Sequence, residues 1–288
     1  MDICRSIAEM RAVTAGWRRD ARPVAMVPTM GALHDGHLTL VARARDWVDA
    51  QGGGRVVASI FVNPTQFGPN EDLAKYPRTE DGDLALLRDA GCDAVFLPTV
   101  PEIYPPGATT IVDVQGLSRI LMGRLRPGHF RGVATIVTKL FNIVRPDAAC
   151  FGEKDYQQLL VVRQMVRDLD IPVEILPVPT VRESDGLAMS SRNRRLTPDD
   201  RAQAPALARA LDHGAALVAG GGGTTVAALR RAVAAILAEA PRGEVRSIDI
   251  RRAADLAPVS GVITGPVVIL LAVAFGDVLL IDQRVAEP

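Results

Sequence analysis

VAMVPTMGALHDGHLTLV, residues 24–41, is the stretch from which the fold can be read. It opens on an apolar run, residues 24–27, of the kind a strand shows when both of its faces are buried. A turn, Pro28-Thr29-Met30-Gly31, follows, then His34-Asp35-Gly36-His37. The spacing of Leu38, Leu40 and Val41 marks a helix start. Strand, glycine-bearing turn and helix N-terminus in succession aim backbone N–H groups and the positive end of the helix dipole at an anion. The two histidines sit where that anion would be, and Gly36 lets a ligand or a neighbouring backbone approach closely. As bare spacing the pair also reads as turn histidines. Without a nearby cysteine or a third ligand they make a poor zinc site.

Upstream, Ile3, Ile7, Met10, Val13 and Trp17 recur at helical spacing, so residues 2–20 read as an amphipathic helix. Downstream, RVVASIFV (55–62) is a second buried strand, rich in β-branched residues, and runs into Asn63-Pro64-Thr65-Gln66-Phe67-Gly68. Gln66 at a strand end can donate and accept at once; it also reads as a tie for its own loop. A polar loop from Asp72 to Arg78 leads to Thr79, an expected N-cap for a helix to Asp89. Residues 94–97 read as a short strand, and 109–114 as an extra one. In RPGHFRGV the arginines read either as solvated or, as Arg126 with His129, as lining an anion site. A helix follows, with Val133, Ile136, Val137, Leu140, Phe141 and Val144 on one face. Residues 147–151 form a strand that ends in Gly152-Glu153-Lys154-Asp155, again a glycine and a lysine at a helix start. Lys154 suits a phosphate as a point charge, and Gln158 lies one turn further on the same face. A strand over 173–176, closed by Pro177 and Pro179, completes the alternation. The class is α/β, a mostly parallel sheet with helices on both faces.

RESDGLAMSSRNRR (182–195) is polar and basic, and the texture changes after it. An Ala-rich helix over 198–218, a glycine break at 220–223, a helix over 224–240 and strands over 245–250, 267–274 and 278–281 follow. Gly276-Asp277 is a hairpin turn signal. The expected division is 1–181, an α/β domain carrying the anion site, and 182–288, a smaller C-terminal α+β domain covering it.

The chain has 288 residues, 33 basic against 33 acidic, 48% hydrophobic and 23% charged. Zero net charge gives no electrostatic footprint for nucleic acid. No stretch has the length and apolarity of a membrane span, and MDICRSIAEMRAV carries acids where a secretory signal needs an apolar core. Cys4, Cys92 and Cys150, odd in number and scattered, fit buried thiols in a reducing compartment. A cytoplasmic protein is expected.

The His-x-Gly-His pattern resembles the signature of the nucleotidyltransferase and class I aminoacyl-tRNA synthetase superfamily. Taken in order, PTMGALHDGH, FVNPTQF, RPGHFRGV, GEKDYQQL and AMSSRN resemble the pantoate–β-alanine ligase family over nearly the whole chain, more weakly through SIDIRRAADL and the closing hairpin. The resemblance implies a Rossmann-like domain with a smaller C-terminal domain, a homodimer, and ATP-dependent condensation of pantoate with β-alanine through pantoyl adenylate, releasing AMP and pyrophosphate. It implies a nucleotide site from Met30, Gly31, Ala32, Leu33, His34, Asp35, Gly36 and His37, from Gly152, Glu153, Lys154 and Asp155, and from Val181, Met189, Ser190, Ser191 and Arg192. His37, His34 and Lys154 would be catalytic, with His37 the proton donor. Gln66 and Gln158 would bind pantoate, Gln66 also β-alanine. Mg²⁺ is the implied cofactor beside ATP. Some family members carry neighbouring acids after the Pro-Arg-Thr turn, whereas this chain has Asp81-Gly82-Asp83, so no metal ligand is assigned and Asp83 is the nearest candidate. Two alternatives stand beside the ligase: a nucleotidyltransferase that stops after pyrophosphate release, and a nucleotide-binding module without catalysis. The glutamines and MSSRN favour the ligase.

Overall fold

The structure is a computed structural model describing residues 1–68 and 73–288. Asp72, at the start of the expected polar loop, lies outside the described residues; Leu73–Lys75 in that loop form a 3₁₀ turn. The chain divides into two compact units, Met1–Gly152 with Gln157–Pro179, and Glu153–Tyr156 with Thr180–Pro288. A single cut between 181 and 182 does not describe this division, because Glu153–Tyr156 groups with the second unit.

In the first unit β1 (Asp2–Cys4), β2 (Val24–Thr29), β3 (Arg55–Ile60), β4 (Ala94–Phe96), β5 (Ala148–Gly152) and β6 (Glu174–Val178) form one all-parallel sheet, ordered β1-β4-β3-β2-β5-β6. The helices are α1 (Ile7–Arg19), α2 (Asp35–Ala50), α3 (Glu80–Asp89), the single turns α4 (Val100–Ile103) and α5 (Met122–Leu125), α6 (His129–Val144) and α7 (Tyr156–Asp168). Successive strand residues point to opposite faces, and the cores obey that alternation. Val24, Met26, Val57, Ala149 and Phe151 pack with Met10 of α1, Val133, Ile136 and Leu140 of α6, and Leu159 and Val162 of α7. Ala25, Val27, Val56, Ala58, Ala148 and Cys150 pack with Leu40, Val41, Ala44 and Val48 of α2 and Leu84 and Leu87 of α3. Burial on both faces is why β2 and β3 read as unbroken apolar runs.

Several local expectations change. The helix expected over 2–20 begins only at Ile7, because Ser6 and Glu9 form a capping box there; residues 2–4 pair instead with β4 at the sheet edge. Pro28 and Thr29 belong to β2, not to the turn. Odd residues of β2 bond to β3 (Arg55 N to Pro23 O, Phe61 N to Thr29 O) and even ones to β5 (Asp147 N to Val24 O). Pro28 therefore faces β5, beyond the last paired position Met26–Ala149, where a missing N–H removes no ladder bond. Pro177 is likewise inside β6, at an outward position of an edge strand. Residues 109–114 pair with no strand among the described residues. The Thr135 hydroxyl of α6 accepts from Val112 N at 3.0 Å and lies 3.3 Å from Val112 O in their place. Cys4, Cys92 and Cys150 are free and buried, and burial pushes the Cys92 and Cys150 thiols up to about 12. No described helix is long and apolar enough to cross a membrane.

The second unit is α8 (Pro198–Gln203), α9 (Ala206–Ala219), α10 (Val226–Leu237) and an antiparallel sheet of β7 (Gly243–Arg252), β8 (Val267–Phe275) and β9 (Val278–Ala286) in that order. The single helix expected over 198–218 is broken at Pro205, which has no N–H to continue α8 and stands before the first turn of α9, where none is needed. Leu207, Leu211, Leu229 and Val233 pack on Ile250, Ile269, Leu271 and Val273. Gly276 (φ 57°) supplies the positive φ that the two-residue β8–β9 turn needs.

Gly54 opens β3 against β2. A Cβ there would lie 2.4 Å from Pro23 O and 2.9 Å from Val48 Cβ. Gly54→Ala is expected to lower stability by about 1–3 kcal/mol through overpacking against backbone, read as a lower midpoint in urea at unchanged slope.

Candidate active site

From β2 the chain moves out through β3 to β4 on one side and through β5 to β6 on the other. In open α/β sheets ligands sit beyond the C-terminal strand ends at such a reversal. The loop leaving β2 is held tightly. Thr29 Oγ1 donates to Ser59 O at 2.6 Å and accepts from Gly31 N at 3.2 Å. Gly31 (φ 79°) and Ala32 (φ 52°) are consecutive left-handed residues, a conformation that costs a non-glycine residue about 1–2 kcal/mol. The carboxylate of Asp83, in the first turn of α3, accepts from Ala32 N at Oδ2 (2.8 Å), and at Oδ1 from Leu33 N (2.8 Å) and Thr79 Oγ1 (3.0 Å). Thr79 stands at the N-cap as expected, but its hydroxyl serves Asp83 rather than the helix backbone. Asp83, the nearest candidate for a metal ligand, is thus engaged with the loop. Among the described residues no group of three His, Cys, Asp or Glu side chains is placed to hold a metal ion, so the described side chains do not fit a protein-held Mg²⁺.

His34 caps α2. Its Nδ1 accepts from Gly36 N at 3.2 Å, and His37 Nδ1 accepts from His34 N at 3.4 Å, a capping box built from two imidazoles. The rings stand 4.1 Å apart, tilted by 51°. A ring nitrogen that accepts carries no proton, so each neutral ring carries its proton on Nε2 and has Nε2–H as its donor.

After β3, Pro64–Gln66 form a 3₁₀ turn capped by Asn63. Asn63 is 1% exposed. Its Nδ2 donates to Gln66 Oε1 at 3.0 Å and Gly132 O at 3.1 Å, and its Oδ1 accepts from Tyr104 OH at 2.9 Å. The Gln66 amide is thereby oriented, with Nε2 3.0 Å from Met30 Sδ. His129 Nδ1 lies 2.8 Å from Gln66 O, and Arg126 Nη1 lies 3.2 Å from His129 Nε2. A guanidinium only donates, so Nε2 accepts and Nδ1–H donates to the Gln66 carbonyl. Arg126 Nη2 reaches the same carbonyl at 3.4 Å. The structure turns Arg126 and His129 onto the Gln66 turn, an arrangement neither reading of RPGHFRGV anticipated. On α7, Gln157 is buried and its amide joins Met122 N, Leu117 O and Ile120 O, while Gln158 beside it is partly exposed.

In the second unit Lys154 Nζ lies 4.0 Å from Asp155 Oδ2. Lys154, Ala188, Ser190, Arg192, Asn193 and Asp282 line one small pocket. The 182–195 stretch is braced. Arg182 and Ala188 form a bridge, and Met189 N donates to Val181 O at 2.9 Å. Arg182 makes a two-pronged pair with Asp282 (2.7 and 3.0 Å). Asn193 Nδ2 donates to Glu183 Oε1 at 2.8 Å and Ala188 O at 3.1 Å, and Ser190 Oγ accepts from Arg192 N at 3.2 Å to cap the 3₁₀ turn Ser191–Arg195. Gly152 closes β5 in the first unit; Glu153, Lys154 and Asp155 form the 3₁₀ turn that opens the second.

A family model described as pantoate-β-alanine ligase matches residues 2–285. The chain belongs to that family. A pantothenate synthetase of Paramagnetospirillum magneticum is 53% identical over 287 residues, 99% of this chain and 98% of that protein. One from Moorella thermoacetica is 50% identical, over 100% and 99%. Of solved structures, the pantothenate synthetase of Thermus thermophilus superposes with a TM-score of 0.91 at 47% identity, over the whole of both chains. The pantoate-β-alanine ligase of Francisella tularensis, in complex with β-γ ATP and β-alanine, gives 0.79 at 31%, covering 99% and 97%. The α/β class with a parallel Rossmann-like sheet and a smaller antiparallel C-terminal sheet is shared with these ligases.

Sequence reasoning passed over Asn63, Tyr104 and the Arg182–Asp282 pair. Asn63 had a signal, since Asn before Pro-Thr is an Asx-turn pattern. Asp282 stood as an acid inside the apolar strand LLIDQRV. The side chains of Arg182 and Asp282 are 19% and 1% exposed. Asp282→Ala leaves Arg182 without its carboxylate and is expected to cost about 3 kcal/mol. Amide exchange at Leu187 and Met189 should accelerate together, reporting release of the hairpin.

Proposed function

We propose that this enzyme condenses (R)-pantoate with β-alanine at the expense of ATP, through pantoyl adenylate, and releases AMP and pyrophosphate. The carrying observation is the pair of imidazoles whose Nδ1 atoms cap α2 at the sheet's reversal point, in a chain that matches the ligase family from residue 2 to 285.

A carboxylate attacking a polyanion must have its approach aligned and the charge that gathers on pyrophosphate stabilised. The loop from Met30 through Gly31, Ala32 and Leu33 to His34, Asp35, Gly36 and His37 takes the phosphates. His34 and His37 donate Nε2–H to phosphate oxygens, with His37 as proton donor. Lys154 acts as a point charge on phosphate, and Gly152, Glu153 and Asp155 shape the turn that carries it. Val181 and Met189 hold the nucleotide, and Ser190, Ser191 and Arg192 supply hydroxyl and guanidinium donors. Gln66 and Gln158 take pantoate, whose hydroxyls and carboxylate require donors and acceptors together. The Gln66 orientation supports this role, because Asn63 Nδ2 holds its oxygen and thereby turns the donating Nε2 toward Met30, at the start of the phosphate loop. In the second step the β-alanine amine attacks the activated acyl carbon, near Gln66. Mg²⁺ enters with the nucleotide, coordinated mainly by phosphate oxygens and water. A homodimer in the cytoplasm completes the reading, and the buried free thiols suit that compartment.

Pyrophosphate release from Mg-ATP is expected to be sustained only with both pantoate and β-alanine, with AMP and pantothenate as products by mass. Turnover with a different acceptor, or none with pantoate, would overturn the assignment. His37→Ala should reduce adenylate formation at least about 100-fold at unchanged circular dichroism, and Gln158→Ala should raise the pantoate KM more than the ATP KM.

A further inference from the structure

Asp83 has no place among the substrate contacts above, yet it is the charged group that shapes the loop leaving β2. Both carboxylate oxygens are engaged: Oδ2 by Ala32 N, Oδ1 by Leu33 N and Thr79 Oγ1. The side chain sits 2% exposed. A carboxylate offers about four acceptor positions, and three are filled from within the protein. The approach to Oδ2 is also crowded, since a Cβ added at Gly31 would lie 2.9 Å from it and 3.1 Å from Ile60 Cγ2. Mg²⁺ requires a near-octahedral oxygen shell and keeps several waters, and this buried, occupied carboxylate has no room for one. The loop has a physical need for the clamp. Two successive left-handed residues, one of them an alanine, persist only where surrounding structure over-determines them. Leu33 N, the second donor, directly precedes His34, so the clamp also sets where the capping imidazoles begin. The first turn of α3 favours an anion at this position through the helix dipole.

We propose that Asp83 is a positioning residue for the nucleotide loop, acting through Ala32 N and Leu33 N, and that it is not a metal ligand. This rests on the reading that residues 30–37 receive the ATP phosphates. Losing the clamp lets the 31–32 backbone relax out of the left-handed region and moves the donors that follow.

The test is steady-state pyrophosphate release by Asp83→Asn, Gly31→Ala and the double variant, with wild type and His37→Ala run in parallel. Asn retains one acceptor oxygen and the side-chain volume, so the expected loss is in kcat/KM for ATP, about tenfold, with the Mg²⁺ concentration for half-maximal rate unchanged. Gly31→Ala strains the same contact from the other side, so the double variant should be no worse than about twofold below the weaker single variant. A Mg²⁺ midpoint that rises in Asp83→Asn, with excess Mg²⁺ restoring the wild-type rate, would overturn the proposal in favour of a metal ligand. Additive losses would overturn it by showing that Asp83 acts elsewhere. If His37→Ala is fully active, the nucleotide reading itself fails; if His37→Ala is inactive and Asp83→Asn is normal, only the clamp fails. Should Asp83→Asn not fold, Thr79→Ala removes the outer donor while leaving both backbone contacts, and should lower kcat/KM for ATP about twofold to threefold at an unchanged Mg²⁺ midpoint; no change there would count against the clamp.

Discussion

A strand with both faces buried can present polar chemistry only at its ends, and β2 is such a strand. Its residues alternate between two cores, one under α1, α6 and α7 and the other under α2 and α3. Its hydrogen bonds alternate in the same way between β3 and β5. The β5 ladder stops at Met26 while the β3 ladder continues to Thr29, so the end of β2 is unpaired on its β5 side. The turn, the imidazole cap of α2 and the Asp83 clamp are all built on the free end of this one strand. Apolar burial and the placing of the candidate site are therefore a single arrangement, and Gly54 matters because it lets β3 start in register with it.

How much was legible follows from the range of each interaction. Apolar runs at 24–27 and 55–62, the helical face at 133–144 and the Gly276-Asp277 turn are local patterns, and all appear as elements, the second strand ending two residues early at Ile60. PTMGALHDGH, FVNPTQF and GEKDYQQL lie at the ends of β2, β3 and β5, whereas RPGHFRGV joins α5 to α6 and AMSSRN leads into the 3₁₀ turn 191–195. Misplaced elements turned on partners distant in sequence. Residues 2–4 share the helical spacing of Ile7 and Met10, but an edge of β4 more than 85 positions away claims them. Residues 109–114 have the composition of a strand and lack a partner strand, because the Thr135 side chain answers their backbone first. Asp83 read as the nearest candidate for a metal ligand because the resemblance places neighbouring acids after the Pro-Arg-Thr turn; that its oxygens face Ala32 N and Leu33 N is visible only once α3 is folded against the loop.

Adjacent, chemically alike residues take different tasks here, and donor and acceptor accounting separates them. Gln157 commits its whole amide to the 117–122 segment, and Gln158 does not share that burial. Asn63 and Gln66 lie three residues apart, and the first fixes the second. Arg126 and His129 look like anion ligands by composition, yet an acceptor imidazole nitrogen facing a guanidinium leaves the other nitrogen to hold a backbone carbonyl. Composition proposes a charge at a place. Hydrogen-bond direction decides whether that charge meets a ligand or the protein itself.

The three native thiols lie within the first unit's sheet and its flanking turns, free, buried and, at Cys92 and Cys150, far from the pKa of a reactive thiolate. Thiol-directed chemistry in mild conditions will therefore find little to react with on the folded chain. The wild-type sequence is in effect a cysteine-light host. One cysteine introduced at a surface position, for instance on the exposed side of α9 or at the 220–223 glycine break, would carry a fluorophore or spin label without removal of any native cysteine.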